Sequence, residues 1–328
     1  MALGEFDLIQ RYFAELTAEV NYSALQLGIG DDCALIAQNS AEWLAVSTDT
    51  LVAGVHFPEQ TPPADIGWKA LAVNLSDLAA MGATPSWFTL AITLPEVNEA
   101  WLRLFCEGMA ALVRRHPIKL VGGDTTRGPL SMTLTVAGHL PKGSALRRSG
   151  AQPGDSIFVS GCLGDAGRGL QLWQTDNASH PVEQALIQRL TRPQPRLALG
   201  KALLSLANSC IDISDGLLGD LQHICDQSQL CAQVDAQLLP FSEELLNDVS
   251  RDDAIKLALT AGDDYELCFT APTEKTAQIL RLKETLGINI CKIGEMQPCA
   301  SSQQAGVTVI NAALSGADQA FQHFRTTP

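Results

Sequence analysis

Basic residues are scarce in this chain. Lys and Arg number 22 against 36 Asp and Glu, which leaves a net charge of −14 over 328 residues. No basic stripe offsets this; Arg114-Arg115 and Arg147-Arg148 are isolated pairs. A phosphate backbone would be repelled, so nucleic acid is not an expected partner. No uninterrupted apolar run is long enough to cross a bilayer, so no membrane association is expected. The first residues carry Glu5 and Asp7 and lack a basic segment followed by an apolar core, so no signal peptide is expected. Cys-x-x-Cys is absent although nine cysteines are present. That argues against a zinc knuckle or a dithiol redox site, and scattered reduced thiols in a cytoplasmic protein are the simplest account. Cys33, Cys106, Cys162 and Cys268 sit in apolar surroundings and read as small buried hydrophobes. Gly-Lys-Ser/Thr, Gly-x-Ser-x-Gly and His-Glu-x-x-His are all missing, which removes Walker A, serine-hydrolase and zincin chemistry.

What is present is acid in a particular setting. Asp31 and Asp32 follow Gly28-Ile29-Gly30. Asp49 closes Ser47-Thr48-Asp49, Asp77 closes Asn74-Leu75-Ser76-Asp77, and Asp124 follows Gly122-Gly123. Asp212 and Asp215 frame Asp212-Ile213-Ser214-Asp215-Gly216, and Asp263-Asp264 follow Gly262. Taken singly, each has an ordinary reading: Gly30-Asp31-Asp32 as a helix cap or turn, Ser47-Thr48-Asp49 as a strand-end turn, Asp77 as a cap or an exposed-face residue. Together they gather carboxylates that would repel one another unless counter-charge arrives, most simply as divalent cations. Oxygen donors without histidine or thiolate favour Mg²⁺ over zinc, and Mg²⁺ completes its shell with water and phosphate oxygens. Gly122-Gly123-Asp124 adds backbone N–H groups able to cradle phosphate. His56 has no second histidine at ligand spacing and reads by itself as structural.

The length suggests two domains, divided at Gly150-Ala151-Gln152-Pro153-Gly154-Asp155: residues 1–149 and 150–328. Phe6, Ile9, Phe13, Leu16 and Val20 recur at helical spacing and predict an amphipathic helix. Helices are also expected over Ala64–Met81 and Glu99–Arg114. Strands are expected at Trp43–Val46, with 47–49 at the tip, at Trp87–Leu94, and at Lys119–Val121, ending at the Gly122-Gly123-Asp124 loop. Further strands are expected at Ser131–Leu140, Ser156–Ser160 and Tyr265–Thr270. A strand end at Ile211 turns into a helix from Leu217. From Gln297 on, the chain is loop-rich and resists assignment. Strands and helices alternate, so the fold class is α/β, or mixed α+β.

Read in order over nearly the whole chain, these motifs resemble the thiamine-monophosphate kinases. The resemblance rests on Gly28–Asp32, Ser47–His56, Asn74–Gly82, Gly122–Thr125, Ser149–Asp155, Ile211–Gly216 and Asp264-Tyr265-Glu266-Leu267. It implies a two-domain aminoimidazole-ribonucleotide-synthetase-like fold. The N-terminal domain would pair with a second copy into a shared β-barrel, and the C-terminal domain would close over the nucleotide. It implies ATP-dependent phosphorylation of thiamine phosphate to thiamine diphosphate, with several Mg²⁺ ions and no covalent nucleophile or general base. Carried over by position, Asp32, Ser47, Thr48, Asp49, Asp77, Asp124, Asp212 and Asp215 would bind Mg²⁺. Gly123, Arg148 and Ser214 would contact ATP; His56, Asp263 and Phe321 would meet the thiamine moiety. Asp263 stands where the family usually has Glu. Related ATP enzymes of the superfamily remain an alternative, although no cysteine precedes Gly28 as a selenophosphate-type enzyme would require. A non-catalytic ATP-binding regulator and a metal-buffering protein also remain.

Overall fold

The structure is a computed structural model that describes residues 9–13, 15–17, 19–27, 35–36, 41–175, 180–300 and 304–312. The chain divides into two compact units. One is built from residues up to Leu78 plus Ala83–Ser144, the other from Ala79–Gly82 plus Ala145 onward. The architecture is mixed α/β, with a sheet in each unit.

In the first unit, β1 (Leu25–Leu27) pairs with β2 (Leu35–Ile36). The main sheet contains β3 (Glu42–Val52), β4 (Thr84–Leu94), β5 (Lys119–Arg127) and β6 (Ser131–Pro141) in the order β3-β6-β4-β5. Helices α1 (Pro63–Ala80) and α2 (Glu99–Arg115) supply the apolar cover. Strand alternation decides the faces. Met132, Leu134, Val136, Phe88, Leu90 and Ile92 are buried on one face. The other carries hydroxyls: Thr48 pairs with Thr135 at 2.9 Å and Thr50 with Thr133 at 2.8 Å.

Three expectations are corrected here. The opening amphipathic helix is, among the described residues, one wide π-type turn over Ile9–Phe13 followed by turns. The apolar period still buries Phe13, but Thr17 Oγ1 accepts the Leu120 N–H and Thr17 O accepts from Lys119 Nζ, tying this segment to β5 instead of extending a helix. The first long strand runs through Ser47-Thr48-Asp49 to Val52, because its hydroxyls find cross-strand partners. The Gly122-Gly123-Asp124 segment is strand, not loop: its registry with Thr89, Leu90 and Ala91 continues β5 to Arg127.

In the second unit, β7 (Ser156–Ser160), β8 (Ser209–Asp212), β9 (Cys231–Asp235), β10 (Leu267–Ala271), β11 (Ile290–Gln297) and β12 (Gly306–Ile310) form one sheet in the order β12-β9-β11-β7-β10-β8. Every residue of β7 and β10 is buried, as continuous apolar runs predict for central strands. Their facing Phe158 and Phe269 rings stack at 5.3 Å. Around the sheet lie α3 (Asp165–Thr175), α4 (Pro181–Thr191), α5 (Leu197–Leu203), α6 (Leu217–Ser228), α7 (Glu243–Asp248), α8 (Arg251–Thr260) and α9 (Thr276–Leu286). Strand β12 lies in the tail that pattern reading left unassigned; it adds in parallel to β9. Cys231 and Cys299 form a disulfide, which corrects the expectation of nine reduced thiols.

Candidate functional site

The first unit brings three of the expected ligands together. Ser47 and Asp49 are two apart on β3 and so face the same way, toward α1. The Ser47 hydroxyl donates to Asp77 Oδ2 at 2.5 Å. The Asp49 backbone N–H donates to Asn74 Oδ1 at 3.2 Å, and Asn74 Nδ2 donates to Ala70 O, which fixes the amide's orientation. Asn74 and Asp77, one helical turn apart, thus both engage β3, as their i, i+3 spacing requires. Burial pushes the Asp49 carboxyl up to about 6, with the charge of Asp77 and a hydrogen bond to it adding in the same direction. The donors are all oxygens, and the crowded carboxylates disfavour their own charge. That combination fits a hard divalent cation and does not fit zinc.

Thr48 and Asp124 do not join this cluster by their side chains. Through the ladder, Asp49 shares a row with Leu134, Leu90 and Gly123, whereas Asp124 shares one with Ala91, Thr133 and Thr50. Thr48 and Asp124 therefore stand on the opposite, hydroxyl-bearing face. Gly123 lies where the sheet admits no side chain: a Cβ there would sit 1.9 Å from Leu90 O. His56 is held in the turn after β3, its Nδ1 accepting the Val52 N–H at 3.0 Å. That bond leaves the proton of a neutral ring on Nε2.

The second unit brings Asp212, Ser214, Asp215, Asp263 and Arg148 into one neighbourhood. Asp212 ends β8 opposite Leu267. Past it the pairing continues irregularly: Ile213 N–H donates to Glu266 O, Tyr265 N–H to Ile213 O, and Asp263 N–H to Ser214 O, at 2.8–2.9 Å. Asp263 and Tyr265 take φ of +70° and +48°. This left-handed pair turns Asp264 inward, where its Oδ2 accepts the Gly164 N–H at 2.8 Å at the start of α3. Burial raises the Asp264 carboxyl well above its usual range. Beside it, Glu266 forms a buried bidentate pair with Arg196 and accepts from Ser160 Oγ at 2.5 Å.

Asp220 is a neighbour of this loop that the sequence does not single out. Its Oδ2 accepts the N–H of Ser214 at 2.9 Å and of Asp215 at 3.1 Å. Burial moves its carboxyl up to about 7, against the lowering pull of the Asp215 and Ser214 N–H groups and, less, of Arg148. The available signal was an acid in the first turn of the helix from Leu217. Among the described residues no three His, Cys, Asp or Glu groups converge tightly enough to hold a metal alone. Asp31, Asp32 and Phe321 lie outside the described residues.

With this geometry in hand, the comparisons with known proteins are specific. Residues 30–140 match the family model "AIR synthase related protein, N-terminal domain", and 152–303 match its C-terminal counterpart. The chain is 50% identical over 298 residues to thiamine-monophosphate kinase of Escherichia coli K12, covering 90% of this chain and 91% of that protein. Its structure is similar to that of thiamine-monophosphate kinase from Stenotrophomonas maltophilia K279a, at TM-score 0.87 and 48% identity, covering 96% and 99% of the two chains. A second similar structure is AaThiL complexed with AMPPCP and TMP, at TM-score 0.76, 30% identity and 99% coverage of both chains. Matched along nearly its full length, with the acidic motifs in place, the chain belongs to the thiamine-monophosphate kinase family of AIR-synthase-related proteins.

Proposed function

We propose that this chain transfers the γ-phosphoryl group of ATP to the terminal phosphate of thiamine phosphate. The γ-phosphorus–oxygen bond to ADP breaks, a bond to a thiamine phosphate oxygen forms, and ADP departs with the electron pair. The observation that carries the reading is the all-oxygen cluster of Ser47, Asp49 and Asp77, with the Asp49 carboxyl pushed up to about 6. The names of the full-length relatives and the AMPPCP and TMP bound to AaThiL support the substrate pair.

The acceptor oxygen is already ionised near neutrality, so no general base is required. The obstacle is the meeting of two polyanions. Asp32, Ser47, Thr48, Asp49, Asp77, Asp124, Asp212 and Asp215 are the residues we assign to Mg²⁺. When bound, the ions would neutralise phosphate charge and align the reacting oxygens. Ser47 and Asn74 hold Asp77 and Asp49 in place. Gly123, Arg148 and Ser214 are assigned to ATP. His56, Asp263 and Phe321 are assigned to the thiamine moiety, whose cationic ring suits an anionic or aromatic neighbour. The proposal includes a homodimer in which the N-terminal domains share a β-barrel, a cytoplasmic location and domains divided near residue 150.

The test is direct detection of thiamine diphosphate from protein, ATP, Mg²⁺ and thiamine phosphate, with free thiamine in parallel. Product from the monophosphate alone, lost with EDTA and in folded Asp49→Asn and Asp124→Asn, is expected. Wild-type turnover in either folded variant would overturn its metal assignment; no product from wild type would overturn the substrate.

A further inference from the structure

The loop at 213–216 offers two groups to the proposed ATP and metal site, the hydroxyl of Ser214 and the carboxylate of Asp215. Its backbone has few degrees of freedom left. Ile213 is bonded on both sides to Glu266 and Tyr265, and Ser214 O accepts from Asp263. Gly216 has φ +112°, and a Cβ there would press on Thr260 C and O at 2.9 Å. The N–H groups of Ser214 and Asp215 both end on one oxygen, Asp220 Oδ2. Asp220 is itself anchored, since its N–H donates to Gly216 O as the first bond of α6, and it is 4% exposed. A single buried carboxylate oxygen thus gathers consecutive N–H groups, and the two side chains carried by those residues are directed by the backbone it holds.

We propose that Asp220 is a positioning residue for nucleotide binding. It acts by geometry, through one acceptor oxygen that fixes the Ser214-Asp215 backbone, and does not itself touch the substrate. This inference rests on the kinase reading above. It makes a distinction a merely structural acid would not meet. Asparagine keeps a carbonyl oxygen in the Oδ2 position and loses the charge, so it should serve; alanine removes the acceptor and should not.

The experiment uses the full chain as wild type, Asp220→Ala and Asp220→Asn. AMPPCP with Mg²⁺ is titrated by calorimetry, amide exchange is followed across residues 211–217, and KM is measured for each substrate. In Asp220→Ala, Ser214 and Asp215 amides should exchange faster, and AMPPCP affinity should fall by about tenfold or more. KM for ATP should rise more than KM for thiamine phosphate. Asp220→Asn should stay within about threefold of wild type in affinity, with protection restored. Wild-type AMPPCP affinity in folded Asp220→Ala overturns the proposal; so does a folded Asp220→Asn that fails as completely as alanine. If alanine does not fold, Asp220→Asn decides: retained protection and affinity support the proposal, and lost protection overturns it. Wild type that binds no AMPPCP would overturn the kinase reading and the nucleotide role with it, while faster exchange in alanine with rescue by asparagine would still report the backbone hold.

Discussion

Ser47 Oγ lies 2.5 Å from Asp77 Oδ2, joining the middle of β3 to the C-terminal part of α1 across 30 residues of sequence. The bond orients a carboxylate that also presses electrostatically on Asp49. Removing the hydroxyl in Ser47→Ala should cost about 1 kcal/mol of stability. It should also weaken Mg²⁺-dependent nucleotide binding, because Asp77 then loses one of the bonds that orient its carboxylate. Urea denaturation and calorimetry read the two effects separately. Unchanged nucleotide affinity in Ser47→Ala would separate Asp77's orientation from binding.

The Asp49 carboxyl gives a pH dependence with a definite sign. Its folded value, about 6, lies above the ordinary 3.8, so the fold holds the proton more tightly than the unfolded chain does. The stability this contributes is complete below about pH 3.8 and is lost as pH rises through about 6. In EDTA, the melting temperature of wild type relative to Asp49→Asn should therefore fall between pH 4.5 and 7.5. Adding Mg²⁺ at the upper end should recover it. Parallel pH profiles for the two proteins would show that Asp49 is not the buried acid described here.

The pair of Arg196 and Glu266 is the most deeply buried charge contact described in the second unit, at 16% and 8% side-chain exposure. Glu266→Gln should destabilise by about 3–5 kcal/mol, because Arg196 is left buried without its partner. Replacing both by apolar residues should cost less than either single change, which a double-mutant cycle in urea would measure. Equal costs for the single and double variants would mean the guanidinium finds solvent when its partner is gone.

Much of this was legible in the sequence, for reasons that can be named. Helix α1 carries apolar residues along one side, so Ala64–Met81 reads as a helix, and Asn74 and Asp77, one turn apart, share a face. Strands β7 and β10 are short buried runs between turn formers. The faces of β3 and β5 were not legible. Whether Thr48 or Asp49 looks toward α1 depends on registry with Leu134 and Thr135, which no local pattern reports. Asp220 was passed over because an acid in a first helical turn is commonplace; only the arrival of two N–H groups on one oxygen distinguishes it. The disulfide was hidden for the same reason, since Cys231 and Cys299 are 68 residues apart and meet only when β9 and β11 pair.

That disulfide should show in a thiol count. Denatured without reductant, the protein should expose seven reactive thiols of its nine cysteines, and all nine after reduction. Closing a loop of 68 residues stabilises by about 4 kcal/mol on the chain-entropy account, so Cys231→Ser should lower the unfolding midpoint by a large fraction of that. Nine reactive thiols before reduction would mean the bond is not formed in solution.

Gly122 and Gly123 give the sharpest test of the strand geometry around Asp124. At Gly122 a Cβ meets nothing within 4 Å, whereas at Gly123 it would meet Leu90 O at 1.9 Å, Leu90 C at 2.7 Å and Leu90 N at 3.1 Å. Backbone atoms of a paired strand cannot yield as a flexible side chain can, so Gly123→Ala must push β5 away from β4. Overpacking of this kind costs about 1–3 kcal/mol. It should also displace the Asp124 carboxylate and depress turnover well beyond the loss of stability. Gly122→Ala faces open space and trades a flexible residue for one better suited to a strand, so it should fold as well as wild type. The comparison is made between neighbours of identical chemistry, so any difference reports the approach of β4 alone. Equal behaviour of the two variants, in urea and in the assay, would mean that β5 leaves β4 before Gly123 and that Asp124 is presented from a loop after all.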